Sequence, residues 1–362
     1  MDLFDSTMTG CSVSPNPAST MAEMLTAIWQ RVLQRPFIGV DDNFFGIGGK
    51  VRLADRLFAE IAQECGRELP SATIYHAPTI AALARLLEQP TLPRLSPFVQ
   101  MKAGHERPPI LVAHGLEGRA QFFELAKHIR TGHAIYGIQA MGLDGMEEPL
   151  DRIEDMATYY LDSIKELQTH GPYILIGYSF GGLVALEMAQ RLSQDGENVG
   201  LLALVDAYPY PRFLPPGQRL RLIVQRARRH LSEMKQLPVR GATSYFVRGL
   251  QRRVRVAGVH SGGTRLPETS RLMLAQTIPH VKDKAYVALA RYQPRFYRGK
   301  IKFVKSESDT YFPGDPVAVW ANLAAEFDVE IVPGTHLNMV TTNFEGLAAV
   351  LTRYVRRAFY QE

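Results

Sequence analysis

The sequence predicts two parts, a small all-α helical bundle and then a mostly parallel α/β sheet covered by helices, with a helical insertion late in the second part. Three observations carry this. Residues 20–90 repeat apolar side chains at helical spacing, three prolines (Pro90, Pro93 and Pro97) fall in quick succession after them, and short apolar strands then alternate with amphipathic helices. A chain of 362 residues is long enough for two cores.

In the first part Ala22, Leu25, Ile28, Trp29, Val32 and Leu33 recur on one face of a first helix, and Gly, Pro and Asp punctuate the helices that follow. Residues 1–19, rich in Ser, Thr and Pro, read as a disordered lead-in. The prolines make 91–99 a semi-rigid linker, and the second domain is expected over 100–362. Its strands are expected at 110–113, 134–138, 173–177, 201–205, 301–304 and 329–332, with helices at 153–168, 182–193 and 344–359. The span from about 208 to 299 is too long for an ordinary connection, so it is expected to form a lid.

Composition removes several function classes. The hydrophobic share of 46% and charged share of 21% are those of a globular protein. No apolar run is long enough for a membrane helix, and the first residues lack the basic start and apolar core of a signal peptide. Cys11 and Cys65 show neither metal-type nor redox-type spacing, so a cytoplasmic protein without disulfides or a metal site is expected. The net charge of +5 conceals a basic stretch from Arg212 to Arg255, which includes Arg226, Arg228, Arg229, Arg252 and Arg253 against the single acid Glu233. Such a run reads either as a solvated helical face or as a landing surface for an acidic protein. No groove-reading or base-stacking motif accompanies it, so neither nucleic acid nor membrane is an expected partner.

The sharpest motif is G-Y-S-F-G, residues 177–181, preceded by the apolar run Y-I-L-I and followed by G-L-V-A-L-E-M-A. Strand before and helix after give G-x-S-x-G the setting of a nucleophile elbow, and the fold class is therefore expected to be α/β hydrolase. A serine hydroxyl needs a base, and the base needs an acid to orient it. In this fold the chain order is Ser, acid, His. Of His230, His260, His280 and His336, only His336 closes a strand-Gly-x-His unit just before the last helix, so Ser179 and His336 are the expected nucleophile and base. Asp206 ends the strand after the elbow and is the preferred acid; Asp309 and Glu307, after the next strand, are the rivals. The backbone N–H groups of Phe180, directly after the serine, and of Leu116, in the H-G-L-E-G loop, are the expected oxyanion donors. His114 in that loop reads as a structural turn residue.

With these motifs in hand, residues 100–362 resemble the thioesterase domains that end nonribosomal peptide and polyketide synthases: H-G-L-E-G, G-Y-S-F-G-G, the strand ending in Asp206, A-R-Y-Q-P-R-F-Y-R-G and P-G-T-H-L-N-M-V all match. The resemblance implies a serine thioesterase whose acid follows the strand after the elbow and whose insertion covers the acyl chain. Residues 20–90 resemble the acyl or peptidyl carrier domain that precedes such enzymes, through V-D-D-N-F-F-G-I-G-G and A-P-T-I-A-A-L-A-R-L-L. Carriers of that family bear 4′-phosphopantetheine on a serine two residues after the paired glycines. Here Gly48 and Gly49 are followed by Lys50 and Val51.

The expected function is therefore release, by hydrolysis or cyclisation, of an acyl or peptidyl chain delivered as a phosphopantetheine thioester by a partner carrier protein or upstream synthase module. No cofactor is expected on this chain itself, its helical domain serving as a docking or structural module. An acyltransferase or small-molecule esterase on the same triad, and a catalytically silent scaffold, are the alternatives. A chain-length series of thioesters and oxygen esters separates the first, and an activated-serine probe the second.

Overall fold

The computed structural model describes residues 17–91, 95–119, 122–236, 273–308 and 312–359. The chain divides into two compact units, Met1–Arg94 and Leu95–Glu362.

The first unit is a bundle of α1 (Pro17–Leu33), α2 (Val51–Cys65), the single turn α3 (Thr73–His76) and α4 (Ile80–Leu87). Its core is the face that periodicity predicts. Leu25, Ile28, Trp29 and Val32 of α1 and Ala54, Leu57, Phe58 and Ile61 of α2 are buried. The loop before α2 is pinned by Phe44, which packs edge-on against Trp29 at 5.3 Å and donates its N–H to Pro78 O at 2.7 Å. Gly49 lies flat against the Phe44 ring, where an added Cβ would come within 2.3 Å, so no larger residue fits there. Helix α4 begins at Thr79, whose side chain accepts the Ala82 N–H.

The second unit is a seven-stranded sheet in the order β1-β3-β2-β4-β5-β6-β7. Its strands are β1 (Phe98–Lys102), β2 (Glu106–Ala113), β3 (His133–Ile138), β4 (Tyr173–Tyr178), β5 (Val199–Val205), β6 (Tyr297–Ser308) and β7 (Ala324–Thr335). All neighbours run parallel except β1, which pairs antiparallel with β3. The central strand β4 is buried along its whole length, as a strand covered on both faces must be. The helices are α5 (Phe123–His128), α6 (Ile153–Ile164), α7 (Phe180–Gln194), α8 (Pro216–Gln236), α9 (Leu274–Arg291), α10 (Pro316–Trp320) and α11 (Glu345–Phe359). Because β2 sends its chain to β3 on one side while β4 flanks it on the other, the strand order reverses at β2. Ligand crevices in open α/β sheets form at the carboxyl ends of strands beside such a reversal.

Several elements differ from the sequence expectation. The lead-in expected over 1–19 overlaps α1, which starts at Pro17; residues 1–16 lie outside the described residues. Phe98 and Val99, expected in the linker, open β1, because both bury their side chains while pairing with Ile138 and Gly137 of β3. Strands β6 and β7 are each 12 residues long, far beyond their apolar centres, because cross-strand pairs such as Lys300–Glu326 at 2.9 Å extend the ladder with charged residues. Strand β6 consequently begins at Tyr297, inside the span expected to be lid. The described part of that span also holds two helices, α8 and α9, with Leu222, Ala285 and Ala288 buried in the main core. Residues 237–272, which hold His260 and the later part of the expected basic stretch, including Arg252 and Arg253, lie outside the described residues.

Candidate active site

Strand β4 runs directly into α7 through Ser179, whose backbone sits at φ 55°, ψ −120°, a conformation rare for any residue with a side chain. The turn is possible because its neighbours are glycines. A Cβ on Gly177 would lie 2.4 Å from Gly181 O, and one on Gly181 would lie 2.2 Å from His114 O. The strain is held by packing and by the Ser179 N–H, which bonds to Val205 O at 2.8 Å. The consequence is a serine hydroxyl projecting beyond the carboxyl edge of the sheet.

His336 follows β7 on the same edge. Its Nε2 is 3.1 Å from Ser179 Oγ, and its Nδ1 is 3.3 Å from Asp206 Oδ2. Asp206 lies just past β5, fully buried and with φ 45°, a left-handed conformation that Asp tolerates better than most residues. Its other oxygen, Oδ1, accepts the Ser306 N–H at 3.0 Å, so both carboxylate oxygens are engaged. Burial without these partners would be costly; with them the carboxylate is fixed in orientation. Trp320 Nε1 donates to the carbonyl of the adjacent Ala207 at 3.1 Å and secures the same turn. The rival acid Glu307 is exposed at the end of β6, and Asp309 lies outside the described residues.

His336 is also held from its sides. The His336 ring stacks on Tyr178 (centroids 4.8 Å, 20° between planes) and abuts Phe312 at 4.6 Å. The Tyr178 hydroxyl donates to His336 O at 2.7 Å. Burial, reinforced by the charge of Asp206, raises the Tyr178 phenol above its ordinary pKa, so it stays a donor. Beyond His336, the Asn338 side chain accepts the Thr335 N–H at 2.5 Å and closes the loop on itself. Sequence reasoning missed Tyr178, Ser306, Phe312 and Asn338. Only Asn338, a turn-forming residue two positions past the histidine, carried a local signal.

Of the two expected oxyanion donors, Phe180 directly follows the serine. Phe180 is the first residue of α7, where N–H groups have no acceptor inside the helix. Leu116 lies in a tight turn closed by Gly118 N–H to Gly115 O at 3.1 Å, a bond that leaves the Leu116 N–H outside it. The close approach of Gly181 to Ala113 O and His114 O puts this loop against the start of α7. His114 fixes the loop from below. It is buried, its Nδ1 donates to Gly115 O at 2.7 Å, and its Nε2 accepts from the Tyr160 hydroxyl at 2.8 Å. Burial pushes its pKa down to about 4, so the ring is neutral and acts as a turn residue.

Of the other histidines of the expected lid, His280 of α9 pairs with Glu148 at 3.1 Å, apart from this group. Among the described residues no group of His, Cys, Asp and Glu is arranged to hold a metal ion, and no helix is long and apolar enough to cross a membrane. Of the basic stretch, Arg212, Arg219 and Arg221 are described and exposed. In the helical unit, Val51 is the first residue of α2, after Lys50.

Residues 108–354 match the family described as the thioesterase domain, which covers more than half of the chain. The chain belongs to the thioesterase domain family. Residues 23–87 of this thioesterase match a second family, the phosphopantetheine attachment site. Among curated relatives, a dimodular nonribosomal peptide synthase of Bacillus subtilis (strain 168) is 37% identical over 201 residues, 55% of this chain and 8% of that protein. Malpibaldin synthetase of Mortierella alpina is 29% identical over 330 residues, 89% of this chain and 6% of that protein. The thioesterase thus spans a small fraction of the synthetases it resembles. A solved four-domain nonribosomal peptide synthetase, in its holo form with AMP and glycine, aligns over the whole chain and 27% of its own length with a TM-score of 0.55 and 20% identity, a likeness of fold.

Proposed function

We propose that this thioesterase releases an acyl or peptidyl chain from a phosphopantetheine thioester by covalent catalysis at Ser179, within nonribosomal peptide or polyketide-type biosynthesis. The observation that carries the reading is the unbroken hydrogen-bonded series from Ser179 Oγ through His336 to the buried Asp206. A buried carboxylate facing Nδ1 favours the tautomer that keeps its proton there, which leaves Nε2 free to accept the serine proton. As Oγ bonds to the thioester carbon, negative charge builds on the carbonyl oxygen. The N–H groups of Leu116 and Phe180 stabilise it, each such donor being worth about 3 kcal/mol in comparable sites. Collapse of the tetrahedral intermediate breaks the C–S bond, and the imidazolium returns its proton to the departing thiol. Water, or an amine or hydroxyl of the chain itself, then attacks the acyl-enzyme with His336 again as base.

Hydrolysis of a small soluble acyl thioester, followed through the released thiol, tests the reading. Ser179→Ala should reduce turnover at least about a thousandfold while leaving the unfolding midpoint close to that of the parent. Retention of most of the activity would refute it.

A further inference from the structure

The helical unit matches a family named for phosphopantetheine attachment, yet its own chemistry does not fit the group. Attachment forms a bond from a serine Oγ to the pantetheine phosphorus and breaks the pyrophosphate of coenzyme A, releasing adenosine 3′,5′-bisphosphate. It requires an accessible serine hydroxyl. The matched segment 23–87 contains one serine, Ser71, and that residue is 2% exposed. No Ser, Thr or Tyr occurs between Thr26 and Ser71, so the loop before α2 and the whole of α2 are without a hydroxyl. The remaining hydroxyls of the segment are occupied or enclosed: Thr26 donates to Ala22 O at 2.7 Å, Thr79 caps α4, and Thr73 and Tyr75 are buried. At the start of α2 stand Lys50, Val51 and Arg52, a valine between two exposed cations. The scaffold that would present an attachment site is nonetheless intact, with Gly48 at φ 99°, Gly49 against Phe44, and Trp29, Leu57 and Phe58 buried. The fold has been kept and the reactive atom lost.

We infer that residues 23–87 form a carrier fold that bears no phosphopantetheine, and that Ser179 receives its acyl group from pantetheine on a second carrier domain outside residues 1–362. The second half rests on the function proposed above; the first does not.

The test incubates the full chain with coenzyme A and a promiscuous phosphopantetheinyl transferase, with an ordinary carrier domain in the same tube as loading control, and reads intact masses. With the control carrier fully converted, the wild-type chain should gain no phosphopantetheine increment. The Val51→Ser variant should gain one, mapped to the peptide at the start of α2; if it does not, Lys50 and Arg52 block the transferase as well, which reinforces the inference. A pantetheine increment on the wild-type chain would overturn it. The unmodified chain is then given the second carrier loaded with an acyl group. Release that disappears in Ser179→Ala is expected. Unmodified chain that hydrolyses small thioesters but leaves every acyl-carrier intact would contradict delivery from a second carrier, whereas failure on small thioesters too would be a failure of the proposed function, recorded separately from the mass result.

Discussion

The Tyr178 hydroxyl donates to the backbone carbonyl of His336 at 2.7 Å, and the ring of the same tyrosine stacks on the imidazole at 4.8 Å. One side chain therefore grips both the main chain and the ring of the proposed base. It sits one residue before the proposed nucleophile, so the elbow and the histidine loop are fastened together by one side chain.

Tyr178→Phe keeps the stack and removes the hydroxyl. Loss of one hydrogen bond of about 1 kcal/mol should lower kcat about fivefold with little change in KM, since the histidine loop is loosened and no substrate contact is lost. Steady-state kinetics on a soluble thioester checks this; a KM effect with unchanged kcat would assign Tyr178 to substrate binding.

The choice of acid is open to direct comparison. Asp206→Asn should cost on the order of 10⁴ in turnover, by analogy with other Ser-His-Asp sites, because an amide no longer selects the productive tautomer. Glu307→Gln, at an exposed strand end, should leave turnover within about twofold of the parent. The reverse outcome would move the acid to the strand after Asp206.

His114 predicts a pH dependence of stability. Its folded pKa is about 4, below the ordinary histidine value, so from pH 6.5 down to about 4 the unfolded chain takes up a proton that the native ring does not. That linkage costs stability as pH falls, up to about 1.4 kcal/mol per unit, and contributes nothing above pH 7. Denaturant unfolding at pH 7 and pH 5 should show a larger loss for the parent than for His114→Asn. Equal losses would mean that the buried ring is protonated in the native state or is not linked to folding.

Glu187 of α7 is 1% exposed and meets Arg191 at 3.0 Å, Arg295 at 3.1 Å and the Tyr292 hydroxyl at 3.0 Å. It ties the elbow helix to the Y-Q-P-R segment after α9. Glu187→Ala should destabilise by about 2 kcal/mol, the scale of a charge-assisted hydrogen bond, as the arginines it leaves are partly exposed and stay solvated. The denaturation midpoint measures it.

How much of this was legible in the sequence follows the range of the interactions. The elbow was readable because its constraints are local, with Gly177 and Gly181 within two residues of Ser179. The bundle face was readable because Leu25, Ile28, Trp29 and Val32 repeat at helical spacing. Strand β1 was not, since Phe98–Lys102 is short, follows prolines and is defined by its pairing with β3. The second partner of Asp206, the Ser306 N–H, is 100 residues away and is a backbone group, which no residue type announces. Tyr178 occupies a position that the G-x-S-x-G pattern leaves free, and its role exists only once β7 brings His336 beside it.

The central claim is that the Asp206–His336 pair activates Ser179. A fluorophosphonate reacts only with an activated serine, so intact-mass and peptide mapping after brief exposure test this most directly. One adduct per chain, located on Ser179, absent in Ser179→Ala and slowed at least about a hundredfold in His336→Ala, is the predicted result. Labelling that persists in Ser179→Ala, or that proceeds at the parent rate without His336, would contradict the account.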